Sequence, residues 1–384
     1  MICLFLISAT LSLYAGDASP SLLRFEEEWR ISSFNDDVLF GFGVGLDVDA
    51  HGFVTVTDLV NDLLYRIDPN GKLIKVIGGP GQGPGELPGL IFFKNLDDGR
   101  GVALCGFMGS ASLHFFDKNL VFLKRQSIAI PDSMASLTDI SRDGRYLMAG
   151  SWKQSVRFKS TRQIIDLEGN IRIDLGTFQT GTPMVYKTTK EHRRHVITRL
   201  IDQANEGFPR AVFSQGTLFL AKPDAYHITR YDKTLTETGR ITRDFVKHRR
   251  KPMGVTRIRD ELWHQGAAVW LQLYPDETMR AGLDKGNMRP FFPPIVDMVP
   301  MDDGRLLVVR GTTPSGGWLA DLFSAENEYL GEVSLPDAGF VMLGPRFAGS
   351  PKLVLRNGQA YALAPNEDLE FSLIAYRTHE GVGQ

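Results

Sequence analysis

The sequence predicts an all-β chain folded as a six-bladed β-propeller with four-stranded blades, and three observations carry the prediction. A strand, an Asp/Gly turn and a second strand recur six times, with turn glycines at Gly52, Gly99, Gly144, Gly216, Gly304 and Gly358. A further pair of strands follows each of the first five, around an Asp-containing turn in four of them and in a weaker copy in the fifth. The sixth unit ends one strand short, whereas one strand-like segment near the N-terminus belongs to no unit. Four short strands in about 45 residues, repeated, is the arithmetic of a propeller rather than of a sandwich.

Composition agrees. The 384 residues are 43% hydrophobic and 23% charged, which suits a large globular domain and excludes wholesale disorder. With 43 Lys+Arg against 45 Asp+Glu, the formal charge of −2 argues against a uniformly basic nucleic-acid binder. Two cysteines build neither a disulfide scaffold nor a Cys-rich zinc site.

Taken in order, residues 1–18 read as a secretory signal. An apolar run from Ile2 to Ala15 meets the small residues Gly16 and Ala18, and it is too short and too rich in Ser and Thr for a membrane span. No Lys or Arg precedes the run, which leaves an uncleaved anchor as the other reading. The expected address is periplasmic or extracellular, with no transmembrane span in the mature chain, which is expected to be a monomer. The segment LRFEEEWRI (Leu23 to Ile31) is the strand without a unit. Blade one follows as GLDVDAHGFVTVTD and LLYRIDPNGKLIKVIG, and blade two as FFKNLDDGRGVALCG and LHFFDKNLVFLKRQ. Blade three is LTDISRDGRYLMAGS and RQIIDLEGNIRIDLG; blade four is AVFSQGTLFLAK and HITRYDKTLTETGRI. Blade five pairs VDMVPMDDGRLLVVRG with the weaker ADLFSAENEYLGEV, and blade six has LVLRNGQAYALAP and FSLIAYRT.

The first two glycine spacings, 47 and 45, set the period. The next two, 72 and 88, exceed it because residues 179–209 and 242–293 are insertions between blades three and four and blades four and five. Apolar/polar alternation is only approximate, as expected of strands packed on both faces between neighbouring sheets. Placing Leu23–Ile31 on the sixth sheet as its missing outer strand closes the ring, so residues 23–378 form one domain. Cys105, inside the apolar run GVALCGF, reads as a small buried hydrophobe.

The stretch DAHGFVTVTDLVNDLLYRIDPNGKLIKVIGGPGQGPGEL resembles an NHL-type repeat of the bacterial six-bladed β-propeller family. Members show D-x-x-G-x-x-x-V-x-D, then a D-x-x-G turn, then G-x-G-x-G-P-G-E. The closing GQAYALAPNEDLEFSLIAYR is similar to that family's last blade. WD-type and kelch repeats fit less well, since neither Gly-His…Trp-Asp pairs nor a repeated Gly-Gly recur.

Propeller connectivity turns position into geometry. The turns between first and second and between third and fourth strands share one face; the remaining loops and the blade-to-blade connectors share the other. Both insertions are connectors, so the long, chemically rich segments are expected around one mouth of the central channel, where binding on a rigid β scaffold usually lives. Across 187–199 and 240–259 they hold 13 basic and 2 acidic residues. Lys190, Arg193, Arg194, Lys247, Arg249 and Arg250 are the candidate ligand-binding cations, with Trp263 and Trp270 beside them. Such a face attracts an anionic partner at long range, although a solvated run pairing with nearby acids has the same composition. Short helices are expected in both insertions; Ile258, Leu262, Val269, Trp270 and Leu273 make an apolar stripe suited to a lid or to packing on the blade tops.

No catalytic signature stands out. GGPGQGPGE lacks the Lys and the helix of a phosphate loop, DVDAHG lacks the ligand ladder of a calcium loop, and there is no G-x-S-x-G elbow. His192, His195, His248 and His264 have no metal-site framework around them. Asp47 and Asp139 each stand five residues before a turn glycine and Asp297 seven before Gly304. If they line the channel, they suit calcium or another divalent cation held by oxygen ligands. Regucalcin and gluconolactonase propellers use such a channel metal, but their Glu from the first inner strand has no match here. The expectation is therefore a binding or scaffold propeller for a protein, peptide or glycan, with nucleic acid disfavoured by export. The alternatives are a channel-metal hydrolase or lyase, and a binder of an anionic glycan or other polyanion.

Overall fold

A computed structural model describes residues 22–34, 37–38, 44–59, 61–107, 110–128, 136–153, 159–179, 210–222, 225–245, 294–312, 317–336, 353–365 and 371–381. These build twenty-six strands. After β1 (Leu23–Ile31) and the small hairpin β2 (Ser33–Phe34) and β3 (Asp37–Val38), the strands fall into blades. Blade one is β4 (Val44–Val48), β5 (Val54–Asp58), β6 (Leu63–Ile67) and β7 (Leu73–Gly78). Blade two is β8 (Leu90–Asn95), β9 (Gly101–Phe107), β10 (Ser110–Phe116) and β11 (Phe122–Ile128). Blade three is β12 (Ser136–Ile140), β13 (Tyr146–Lys153), β14 (Lys159–Asp166) and β15 (Ile171–Gln179). Blade four is β16 (Arg210–Ser214), β17 (Thr217–Ala221), β18 (His227–Tyr231) and β19 (Glu237–Thr242). Blade five is β20 (Asp297–Pro300), β21 (Leu306–Thr312), β22 (Trp318–Phe323) and β23 (Tyr329–Leu335). Blade six is β24 (Leu353–Arg356), β25 (Gln359–Pro365) and β26 (Phe371–Glu380), completed by β1.

The chain is thus a six-bladed propeller of antiparallel four-stranded sheets, closed as the sequence predicts: β1 pairs with β26 from Leu23↔Glu380 to Ile31↔Leu373. Trp29 fastens the join, donating from Nε1 to Pro69 O of blade one at 3.0 Å and packing against Gly71, where a Cβ would come within 3.1 Å of the indole. The short insertion helices of the prediction fall outside the described residues.

Turn chemistry sets the blade period. All six glycines that mark the first turn of each unit have positive φ, from 73° to 87°, a conformation in which a Cβ is strained. The second turns share a different device. Asp68, Asp117, Asp166 and Asp232 each turn the carboxylate back to accept from the amides two and four residues on, at 2.8–3.1 Å. In blade five Ser324 does the same through Oγ, which is why ADLFSAENEYLGEV looked like a weaker copy.

Burial explains the imperfect alternation. All five residues of β5 are buried, because both faces of the sheet meet another blade. Outer strands are half exposed, and all six carry a register shift that leaves a residue extra: Glu28, Ile74, Leu123, Thr238 and Leu330 in five of them, and both Arg172 and Leu175 in β15. Among the described residues the core falls into six apolar clusters, one in each junction between neighbouring blades. Among these residues the junction of blades three and four has the smallest buried set, Met148, Ile164, Phe213 and Leu218.

Polar contacts tie the turn face at every junction in sequence. Lys75 Nζ donates to Leu120 O at 3.0 Å, Arg142 Nη1 to Asn95 O at 2.9 Å, and Arg145 Nη2 to Lys233 O at 2.7 Å. Gln215 Nε2 and Arg356 Nη1 reach Asp302 Oδ1 from blades four and six, and Asn357 Nδ2 donates to Ala50 O at 2.8 Å across the closure.

Candidate functional site

The six inner strands β4, β8, β12, β16, β20 and β24 touch their neighbours all the way round and enclose the axis. Between them lies a cavity of about 70 Å3, lined by Asp47, Lys94 and Asp139 on one side and by Val212, Val299 and Val354 on the other. Arg356 belongs both to this lining and to a broad groove of about 1080 Å3 on the face that carries the first and second turns of the blades.

The three aspartates singled out in the sequence do line one cavity. Asp47 and Asp139 sit at the same level, five residues before their turn glycines, and Lys94 holds the same place in β8, five before Gly99. Three successive inner strands therefore present Asp, Lys and Asp side by side. Asp297 stands two residues further from its turn, about 7 Å up the strand.

Protein cations engage both level carboxylates. Asp139 Oδ1 accepts from Lys94 Nζ at 2.8 Å and from the Ile140 amide at 2.8 Å. Burial pushes the Asp139 carboxyl up from its ordinary range, and the Lys94 ammonium opposes that rise. Asp47 is 1% exposed and joins three blades: Oδ2 accepts from Asn95 N and Nδ2 at 2.7 and 2.9 Å, and Oδ1 from Arg142 Nη2 at 2.9 Å. Asp297 accepts from the Met298 amide at 2.9 Å. Among the described residues, no three His, Cys, Asp or Glu side chains converge to hold a metal ion. Asp49, in the DVDAHG turn, likewise accepts from the His51 and Phe53 amides and pairs with Arg66.

Lys94, Arg142 and Arg356 went unmarked in the sequence. Lys94 was readable from its offset to Gly99. Arg142 was not, since its target Asp47 lies 95 positions away and only ring closure brings the two together.

The candidates on the connectors, Lys190, Arg193, Arg194, Lys247, Arg249, Arg250, Trp263 and Trp270, lie outside the described residues. The ends of the insertions do not. Among their basic residues, Arg240 pairs with Glu237, and Arg243 reaches buried Asp321 at 2.9 Å while stacking 3.7 Å from the Tyr329 ring. Asp321 also meets Arg310 at 3.1 Å and accepts from Tyr226 Oη at 2.6 Å. These two arginines of the basic run thus serve the fold.

No family model and no curated protein matches the sequence. Solved structures do match in shape. A member of the DUF4221 family from Bacteroides vulgatus aligns with TM-score 0.50 at 9% identity, over 94% of this chain and 100% of that one. A protein given as a candidate exported protein from Bacteroides fragilis aligns at TM-score 0.46 and 13% identity, over 93% and 96%. A gluconolactonase from Xanthomonas campestris aligns at TM-score 0.41 and 11% identity, over 95% and 98%. The first of these supports the propeller fold, and at such identities the fold is all that is shared.

Proposed function

We propose that this chain is an exported, NHL-type recognition propeller that binds a partner through its connector face and performs no chemistry in its channel. The observation that carries the reading is the pairing of Asp47 with Arg142 and of Asp139 with Lys94. Carboxylates neutralised by fixed protein cations hold blades together, whereas a channel metal needs its oxygen ligands unpaired and convergent. Export rests on the apolar N-terminal run, and the partner's side on both insertions being connectors. Eleven basic residues remain across the two runs once Arg240 and Arg243 are set aside, which favours a partner rich in carboxylate or sulfate groups.

The test uses the mature protein on immobilised heparin and on immobilised polygalacturonate. Retention that falls steeply between about 50 and 300 mM salt, and that Arg193→Glu with Arg249→Glu abolishes, supports the reading. Retention by neither matrix, or unchanged retention in the double variant, rejects an anionic partner on this face.

A further inference from the structure

A second candidate is the axial cavity itself, which runs along the inner strands between the connector face and the turn face. The axial cavity contains donors and acceptors that the protein itself leaves unused. Lys94 is only 6% exposed, yet of its three N–H donors just one has a partner among the described residues, the Asp139 oxygen at 2.8 Å. Asp139 Oδ2 accepts from no described group, since both bonds to this carboxylate fall on Oδ1. Arg356 Nε is buried without an acceptor among the described residues, while its Nη1 is held at 2.8 Å by Asp302. Buried polar groups are normally satisfied, so a donor and an acceptor left open side by side point to something that enters.

The chemistry of the entrant follows from the pairing. An ammonium with N–H to give stands beside a carboxylate oxygen with lone pairs to fill, and a hydroxyl answers both, accepting from Lys94 and donating to Asp139. Asp47 is fully engaged, so it adds charge balance rather than a contact. Lining the cavity are four carboxylates, Asp47, Asp139, Asp297 and Asp302, against three cations, Lys94, Arg142 and Arg356, which disfavours an anion. The opposite wall, Val212, Val299 and Val354, is apolar and suits the C–H face of a carbon skeleton. A polar edge facing an apolar wall offers a small hydroxylated carbon skeleton both of the surfaces it needs.

We propose that the axial cavity binds a small neutral hydroxylated molecule of the size of a diol or triol, entering from the turn face. Lys94 and Asp139 hold one hydroxyl, and Arg356 meets a further hydroxyl. The site is independent of the connector-face reading and stands or falls separately.

The experiment is isothermal titration of the mature protein with ethylene glycol, 1,2-propanediol and glycerol. Sodium gluconate and calcium chloride are titrated in parallel. Saturable binding of at least one neutral compound is expected, weakened at least tenfold by Lys94→Met with Asp139→Leu. That pair of changes also alters the core, so Val212→Phe provides a second variant. Val212 lines the cavity while packing, only partly buried, on the apolar cluster between blades four and five, so the larger ring narrows the cavity without removing a charge. A native circular-dichroism spectrum and a single cooperative melt are expected to persist in this variant while neutral-ligand binding is lost. No saturable binding of any neutral compound up to 50 mM (about 1.8 kcal/mol at that limit), binding by gluconate or calcium alone, or undiminished binding in Val212→Phe overturns the proposal.

Discussion

Replacing Lys94 by Met isolates the charge that holds blades two and three together at the axis. Lys94 and Asp139 are 6% and 5% exposed and meet at 2.8 Å, so the substitution strands a carboxylate with the Ile140 amide as its remaining close donor. Breaking a buried pair from one side costs about 3–5 kcal/mol. For a domain of this size the unfolding entropy converts that into a fall in Tm of about 4–7 °C. The pH dependence is diagnostic. Burial already raises the Asp139 carboxyl, and removing Lys94 deletes the main influence that lowers it. Because the folded value then lies above the unfolded one, the penalty is complete at pH above the folded value and disappears as the pH falls through it toward about 4. The variant's deficit against the parent, read from urea midpoints at about pH 7 and about pH 5, should therefore shrink on acidification. Adding Asp139→Leu should bring stability back to within about 1 kcal/mol of the parent. A deficit that is the same at both pH values, or one the second change leaves untouched, would refute the view that an uncompensated buried charge is the cause.

Trp29→Ala removes the Pro69 hydrogen bond and the packing on Gly71; it should cost about 2–4 kcal/mol in urea and make blade six the first region to lose amide protection in hydrogen exchange. Gly78→Ala would place a Cβ 2.3 Å from Asp62 O at φ 107°, so a loss of about 1–3 kcal/mol is expected from the same titration, and a neutral result would contradict the geometry. Burial and the nearby Asp62 charge raise the Cys105 thiol, so it should ignore a thiol reagent at pH 8 until urea unfolds the chain. Asp98 is lowered by its hydrogen bond to Arg100; Asp143 is lowered because Ser141 and Arg145 outweigh its burial. Acids depressed in the fold support it above their unfolded value and release that support as the pH falls through the folded one, so melting temperature should drop on acidification below about pH 4.

Much of the fold was legible because turns are local. Gly52 through Gly358 declare positive φ, and each second-turn Asp serves amides two and four residues away, so a few neighbouring letters suffice. The ring closure was legible by elimination, as Leu23–Ile31 had no other sheet to join. The outer-strand bulges were not readable, since the extra residue, Ile74 or Leu330, looks like ordinary loss of alternation. At the channel, the level of Asp47 and Asp139 was legible from offsets to glycine. Their partners were harder: Lys94 shares that offset, but Arg142 reaches inward from a turn whose DGR pattern otherwise directs arginines outward, as Arg100 and Arg145 do toward Asp98 and Asp143.

The pairing of β1 with β26 has a consequence for how the molecule is made. The outer strand of blade six, β1, meets its hydrogen-bonding partner about 350 positions further along the chain. Until β26 has been made, blade six is incomplete, and the apolar flanks of blades one and five stay open to water. Five blades can assemble from near neighbours, but the closing pair is a long-range event, so ring closure waits on β26 rather than on the speed of any single hairpin.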